Sequence, residues 1–257
     1  MKHALPFTVR VYECGPDGKI LISALINYMQ EIAASHTVAL HITIPELLTR
    51  GYTWMLSRYH MVIDRYPAYM DPVLMASWIA RHEGFFSIRD FQLTDAQGNS
   101  LARITSSWVL YDLKEKKIAQ VDKVLPLDTV LNERAVEDPF PTLPLPESTE
   151  HERQFHVRLH DLDINRHVNN RITVEWALEA VPQELVKTHA LSELEITFKG
   201  QAFYGDMIAS RSQFADSGEQ LRGLHHIINM RDGQSIARAR TQWRNVMKSP
   251  AYSEISI

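Results

Sequence analysis

Phe155-His156-Val157-Arg158-Leu159-His160-Asp161-Leu162-Asp163-Ile164-Asn165-Arg166-His167-Val168-Asn169-Asn170 decides how this chain of 257 residues is read, because its first part occurs twice. Phe7-Thr8-Val9-Arg10-Val11-Tyr12-Glu13 matches Phe155 to Asp161 at an offset of 148, and the same offset pairs Ile20 with Val168, Tyr28 with Trp176 and Glu31 with Glu179. Farther along, the offset drops to 135 and holds. Tyr69-Met70-Asp71 then pairs with Tyr204-Gly205-Asp206, Gly98 to Arg103 with Gly233 to Arg238, and Trp108 with Trp243. Two long ungapped registers in the same order indicate a tandem duplication. The 13-residue difference falls around His36 to Gly51, so the first copy has the longer helix or loop there.

Each copy carries the same alternation of patterns. A short strand (Thr8–Tyr12, His156–His160) leads through a polar turn into an amphipathic helix. Ile22, Leu25, Ile26 and Met29 supply the apolar spacing of the first helix, and Val174, Leu178 and Val181 that of the second. Strands follow at Leu56–Asp64, Val73–Ala80, Phe85–Thr94 and Leu101–Leu110, and again at Leu194–Phe198, Met207–Phe214, Leu221–Met230 and Ser235–Arg244. Turn signals such as Asp95-Ala96-Gln97-Gly98-Asn99 separate them. An antiparallel sheet that long must cover its apolar face, and one helix wrapped by the sheet does so. The fold class is therefore α+β, in two domains at 1–134 and 151–257. A proline-rich linker at 135–150 joins them, since Pro139, Pro141, Pro144 and Pro146 forbid regular structure.

The second copy concentrates polar chemistry ahead of its helix. A carboxylate, a carboxamide and an imidazole alternate at Asp163, Asn165 and His167, and Asn169-Asn170 are good capping residues. Free backbone N–H groups at a helix start favour negative charge and could stabilise an oxyanion. The bland alternative is a satisfied capping turn. The first copy serves as internal control, with Gly15, Asp17 and Lys19 at the equivalent positions. The scaffold keeps the constellation once, which implies one active site per chain.

Composition narrows the remaining classes. The chain is 45% hydrophobic and 23% charged, with net charge −4 and scattered basic residues, which argues against nucleic-acid binding. No apolar run approaches the roughly 18 residues needed to span a membrane. Met1 to Pro6 shows neither a signal-peptide core nor a transit pattern, and the single Cys14 suits a reducing cytosol, so a cytoplasmic location is expected. Cys14 lies in a Gly-Pro turn without a nearby histidine and is a poor nucleophile. Neither a metal nor a cofactor is expected: no Cys/His spacing suits zinc, and the adjacent His225 and His226 point to opposite faces of a strand.

A strand–helix–sheet unit in tandem, with Leu162-Asp163-Ile164-Asn165-Arg166-His167-Val168-Asn169-Asn170 before the second helix, resembles the acyl-acyl carrier protein (acyl-ACP) thioesterases. These are the plant chain-terminating enzymes and their bacterial relatives, built as a double hotdog. Gly18 to Glu31, Trp54 to Arg58 and Ser106 to Asp112 also resemble family landmarks. The resemblance implies hydrolysis of a fatty acyl thioester carried on the phosphopantetheine of acyl carrier protein. Asp163, Asn165 and His167 would be catalytic, and the first domain would serve the acyl chain. The family's catalytic Glu falls on Gln201, and the cysteine beside it in plant members is Ala202. Glutamine cannot act as a general base at neutral pH, although it can hold a water. Asp163 or His167 would then be the base, with Asn165 orienting substrate or water. Arg166 and Lys199 are available to the acidic carrier or its phosphate, or are simply solvated. Tyr52, Trp54, Trp78, Phe85, Phe86 and Trp108 are candidates for an acyl tunnel or for ordinary core. An acyl-CoA thioesterase of hotdog type and a non-catalytic acyl-binding hotdog protein stay open as alternatives, as does association of two chains into a homodimer.

Overall fold

The computed structural model describes residues 2–125, 129–217 and 220–246; the end of the expected second domain, 247–257, lies outside them. The chain forms two compact units that meet in sequence at Phe140 and Pro141. In the first, strand β1 (His3–Thr8) precedes helix α1 (Ile22–Ala39) and the short α2 (Ile44–Thr49). Strands β2 (Tyr52–Ile63), β3 (Pro72–Glu83), β4 (Phe86–Asp95), β5 (Ser100–Asp112) and β6 (Lys117–Ala119) follow. The second unit repeats the plan with β7 (His151–His156), α3 (Asn170–Glu179), α4 (Gln183–Thr188), β8 (His189–Phe198), β9 (Met207–Ser217), β10 (Gln220–Asn229) and β11 (Ser235–Asn245).

The strand orders are the same. The first unit runs β1-β3-β4-β5-β2 with β6 on β5, the second β7-β9-β10-β11-β8, and their pairings are antiparallel. Registers coincide as well: Phe7 lies opposite Val73 and Phe155 opposite Ile208. Both units are hotdogs, a helix packed on an antiparallel sheet, as expected. Each helix is seated by the same contact. The Phe7 ring stacks on Tyr28 at 4.2 Å between centroids, and Phe155 on Trp176 at 5.9 Å. Such pairs add about 0.5–1.5 kcal/mol to the area they bury. Leu25, Ile26 and Met29 on α1, and Val174, Trp176 and Ala177 on α3, face the sheets as buried residues. The helices differ in length, 18 residues against 10, and this is where most of the offset change accrues.

One boundary differs from expectation in both copies. The strands expected at Thr8–Tyr12 and His156–His160 end at Thr8 and His156, and a single 3-10 turn follows at Val11–Glu13 and Leu159–Asp161. A carboxylate causes this: the Arg10 N–H donates to Glu13 Oε2 at 2.8 Å, and the Arg158 N–H to Asp161 Oδ2 at 2.8 Å. Those N–H groups are diverted from a ladder into a turn.

The proline-rich segment is irregular from Leu131 to Leu145, as its composition demands. Its first part packs onto the first unit. Asp90, fully buried on β4, accepts from Thr105 Oγ1 at 2.5 Å, from the Ala135 N–H at 2.6 Å and from Arg134 Nε at 3.1 Å. Ala135 and Phe140 also lie against the buried Trp78, Ala80 and Ile88.

At the position equivalent to Asp90, the second unit buries His225, whose Nε2 lies 2.9 Å from Thr241 Oγ1. Burial lowers its pKa from 6.5 to about 4. The native state holds this imidazole neutral, while an unfolded chain protonates it near 6.5, so its contribution is complete above pH 6.5 and is lost as pH falls toward 4. We expect stability to fall through that window by up to about 1.4 kcal/mol per pH unit for this group. Denaturant midpoints for His225→Gln should show a shallower acid slope than wild type; equal slopes would place the titration elsewhere.

Candidate active site

The loop from Leu162 to Val168 hangs from Asp161, a carboxylate only 2% exposed. Its side chain takes the Arg158 N–H and is clasped by the Arg158 guanidinium at 2.7 Å. Its backbone carbonyl accepts the Asn169 N–H at 2.9 Å. Burial opposes the charge on Asp161, but the Arg158 bonds prevail and hold its pKa below the usual carboxylate value. Both ends of the loop are thereby tied to one buried residue.

Between those ends the chain turns tightly. Leu162 and Val168 form an antiparallel bridge, the Asp163 N–H donates to the His167 carbonyl at 2.8 Å, and the Arg166 N–H to the Asp163 carbonyl at 3.0 Å. An extended segment with Asp163, Asn165 and His167 on one face is the natural reading of their spacing, and this turn replaces it. The Asp163 side chain reinforces this turn: its Oδ1 accepts the backbone N–H groups of Asn165 at 2.8 Å and His167 at 3.2 Å, an Asx-type pattern. Asp163 therefore orients His167 through its backbone, and Asn165 through its backbone and, at 3.5 Å, its side-chain Nδ2. Among the described residues its carboxylate makes no bond to the His167 ring, whose nitrogens take no hydrogen bond at all. Asn165 is exposed; Asp163 and His167 are half-buried.

A second loop, 199–206 between β8 and β9, closes against the first. The Val168 N–H donates to the Ala202 carbonyl at 3.0 Å, which sets Gln201 beside the motif. Gln201 is exposed and lies on this loop rather than on a strand. Phe203, which no sequence pattern singled out, presents its ring to His167 nearly edge to face, at 5.3 Å and 82°. Asp206 holds Phe203 there, accepting its N–H at 2.9 Å. The first unit has the same pair of loops: Gly15 N–H to Lys19 carbonyl at 2.8 Å, Ile20 N–H to Pro67 carbonyl at 3.0 Å and Ala68 N–H to Asp71 Oδ2 at 2.8 Å. It carries Tyr66 and Ala68 where the second carries Gln201 and Phe203.

The helix start offers less to an anion than its sequence suggested. The Asn169 side chain caps the Arg171 N–H at 2.9 Å, and the Ile172 N–H turns back to the Asn169 carbonyl at 2.9 Å. Of the first three helical N–H groups, Asn170 alone keeps its donor without an intramolecular acceptor among the described residues. The aromatic candidates divide between core and surface. Trp78 is buried with its indole N–H on the Glu133 carbonyl at 2.7 Å, Tyr52 and Trp54 pack on the Ile42/Leu47 cluster, and Phe85 and Phe86 are exposed.

Two family models match the chain: the N-terminal domain of acyl-ACP thioesterases over residues 1–125 and the C-terminal domain over 146–245. The chain belongs to the acyl-ACP thioesterase family. Among its relatives, the chloroplastic dodecanoyl-[acyl-carrier-protein] hydrolase of Cinnamomum camphora is 30% identical over 93% of this chain and 66% of its own length. The chloroplastic acyl-[acyl-carrier-protein] hydrolase FATB2 of Cuphea viscosissima is 28% identical over 93% of the chain and 61% of its own. The chain thus spans roughly three fifths to two thirds of these relatives. Among solved structures, the 12:0-ACP thioesterase of Umbellularia californica superposes with a TM-score of 0.85 at 27% identity, covering 95% of this chain and 94% of that one. An oleoyl thioesterase of Lactobacillus plantarum superposes at 0.83 and 25% identity over 95% and 96%.

The turn geometry separates two roles for Asp163. Asp163→Asn keeps the Oδ1 acceptor, whereas Asp163→Ala leaves two N–H groups without it and should destabilise the loop by about 1–2 kcal/mol. Amide hydrogen exchange at Asn165 and His167 should accelerate in the alanine variant and stay near wild type in the asparagine variant. Equal exchange in both would remove the turn role.

Proposed function

We propose that this protein hydrolyses the thioester of fatty acyl-acyl carrier protein, releasing the free fatty acid and ending chain elongation. The observation that carries the reading is the asymmetry of the duplication: one scaffold, two equivalent loops, and a carboxylate, carboxamide and imidazole on only one of them. Family membership supplies the thioester. The single cysteine is in keeping with a reducing cytosol as the site of action, and no helix among the described residues is long and apolar enough to cross a membrane.

In this proposal His167 transfers the proton. Its imidazole is half-exposed and, among the described residues, neither ring nitrogen takes a hydrogen bond, so a nitrogen is open to accept a proton from an attacking water. Asn165, the most open of the three, orients water or the thioester carbonyl through its carboxamide. Asp163 keeps both in place from below the turn. The Asn170 N–H is the available backbone donor for the developing oxyanion. Gln201, beside the motif and unable to act as a base, holds the water rather than activating it.

The test is hydrolysis of acyl-ACP substrates of graded chain length, with matched acyl-CoA as comparison. His167→Ala should lower kcat by on the order of 10²-fold or more, and Gln201→Glu, which adds a second carboxylate, should preserve or raise turnover. Near-normal rates in His167→Ala would return the loop to a capping turn. Binding of acyl chains without hydrolysis would favour the acyl-binding alternative.

A further inference from the structure

Arg166 occupies a backbone position that does not suit it. Its φ is +63°, in the left-handed region that disfavours residues with a Cβ. The equivalent residue of the first unit is Gly18, at φ +70°, and the two turns are otherwise alike: the Gly18 N–H donates to the Gly15 carbonyl at 3.0 Å, as the Arg166 N–H does to the Asp163 carbonyl. A cavity does not explain the substitution, because Arg166 is exposed. Neither does an internal partner: among the described residues its guanidinium forms no hydrogen bond or ion pair. The other arginines at this edge are engaged, Arg158 with Asp161 at 2.7 Å and Arg231 with Asp206 at 3.4 Å. Beside Arg166 stands Ile164, 82% exposed on the same loop, and Phe203 and Tyr204 on the facing loop are 45% and 64% exposed. One strained, unpaired cation therefore sits between Asn165 and His167 on an apolar rim.

We infer that Arg166 is a binding residue that pairs with an anionic group on the carrier portion of the substrate, while the apolar rim takes its uncharged surface. The inference rests on the thioesterase reading above and assigns the carrier contact within it. The reverse exchange, Met70 at φ +70° against Gly205 at φ +85°, shows that strain alone assigns no role; at Arg166 it coincides with an exposed guanidinium, unpaired among the described residues, on the loop that carries Asp163, Asn165 and His167. A guanidinium offers donors in a fork that fits a phosphate or a carboxylate. The residue lies on the loop but outside the reacting set, so its effect should fall on capture of the substrate rather than on chemistry.

Arg166→Gly is the test, because function and fold respond in opposite directions. Relief of the left-handed backbone should leave Tm unchanged or raise it by about 1–3 °C. KM for acyl-ACP should rise about 3- to 10-fold, with kcat within about twofold and a weaker dependence of kcat/KM on salt. Arg166→Lys should recover part of the KM effect. Three substrates locate the anion. An N-acetylcysteamine thioester, without phosphate or protein, should be indifferent to the change. Sensitivity shared by acyl-CoA and acyl-ACP assigns the phosphate, and sensitivity of acyl-ACP alone assigns carrier carboxylates. Wild-type hydrolysis with an unchanged KM in Arg166→Gly for both carriers overturns the inference and leaves the functional reading intact. No hydrolysis by wild type of any of the three overturns both.

Discussion

One buried carboxylate in each unit sets where the chain stops being a strand and where its helix begins. Asp161 turns the chain through the Arg158 N–H and receives the Asn169 N–H on its own carbonyl; Glu13 does the same with Arg10 and Leu21, at 2.8 Å for both bonds. Seven residues hang between those fixed ends in either copy. Because the ends are held by groups outside the loop, and the buried Ile20 and Val168 are kept in both copies, the polar side chains between them can differ without changing the path of the backbone. That freedom lets Gly15, Asp17 and Lys19 stand in one copy and Asp163, Asn165 and His167 in the other on equivalent backbones.

The same constraint explains what could be read in the sequence. The duplication was legible because it leaves residues of like size and polarity at fixed offsets: Val9 and Val157 are both fully buried, and Trp108 and Trp243 donate their indole N–H groups to Ser106 and Thr241 at 2.8 and 2.9 Å. Long strands were legible from alternation; the strand order was not, because only β3-β4-β5 and β9-β10-β11 are joined as hairpins, whereas β2 crosses to β5 and β8 to β11. The turns at Val11–Glu13 and Leu159–Asp161 were not, because their apolar residues continue the strand pattern while a side chain three residues on takes the backbone donor. The Asx turn at Asp163 escaped for a related reason. Alternating polar residues suggest an extended face, yet Asp and Asn favour local bonds to their own backbone. Phe203 was not read from any local pattern, since its contact with His167 joins two loops far apart in sequence. The one available signal was that its equivalent in the first copy is Ala68.

The two family models establish the family and the solved structures agree on the fold, which sharpens what is particular to this chain. Gln201 stands where the resemblance leads one to expect Glu, and Arg166 stands where the chain's own first copy uses Gly. In the proposed reading the first residue takes a base away from beside the motif, and the proton passes to His167, whose ring nitrogens accept or donate no hydrogen bond among the described residues. The second adds a cation at a conformational cost. Both lie on loops whose backbones are held from elsewhere, so both are free to vary without disturbing the sheets.

The scaffold holds the polar side chains of the 162–168 loop and does not require them. Exchanging Asp163 to His167 for the first copy's Gly15-Pro16-Asp17-Gly18-Lys19 tests this directly, by measuring thermal unfolding and acyl-ACP hydrolysis on the same chimera. A cooperative transition within a few degrees of wild type and loss of hydrolysis are expected. An unfolded chimera, or a folded one that still hydrolyses the substrate, would contradict this.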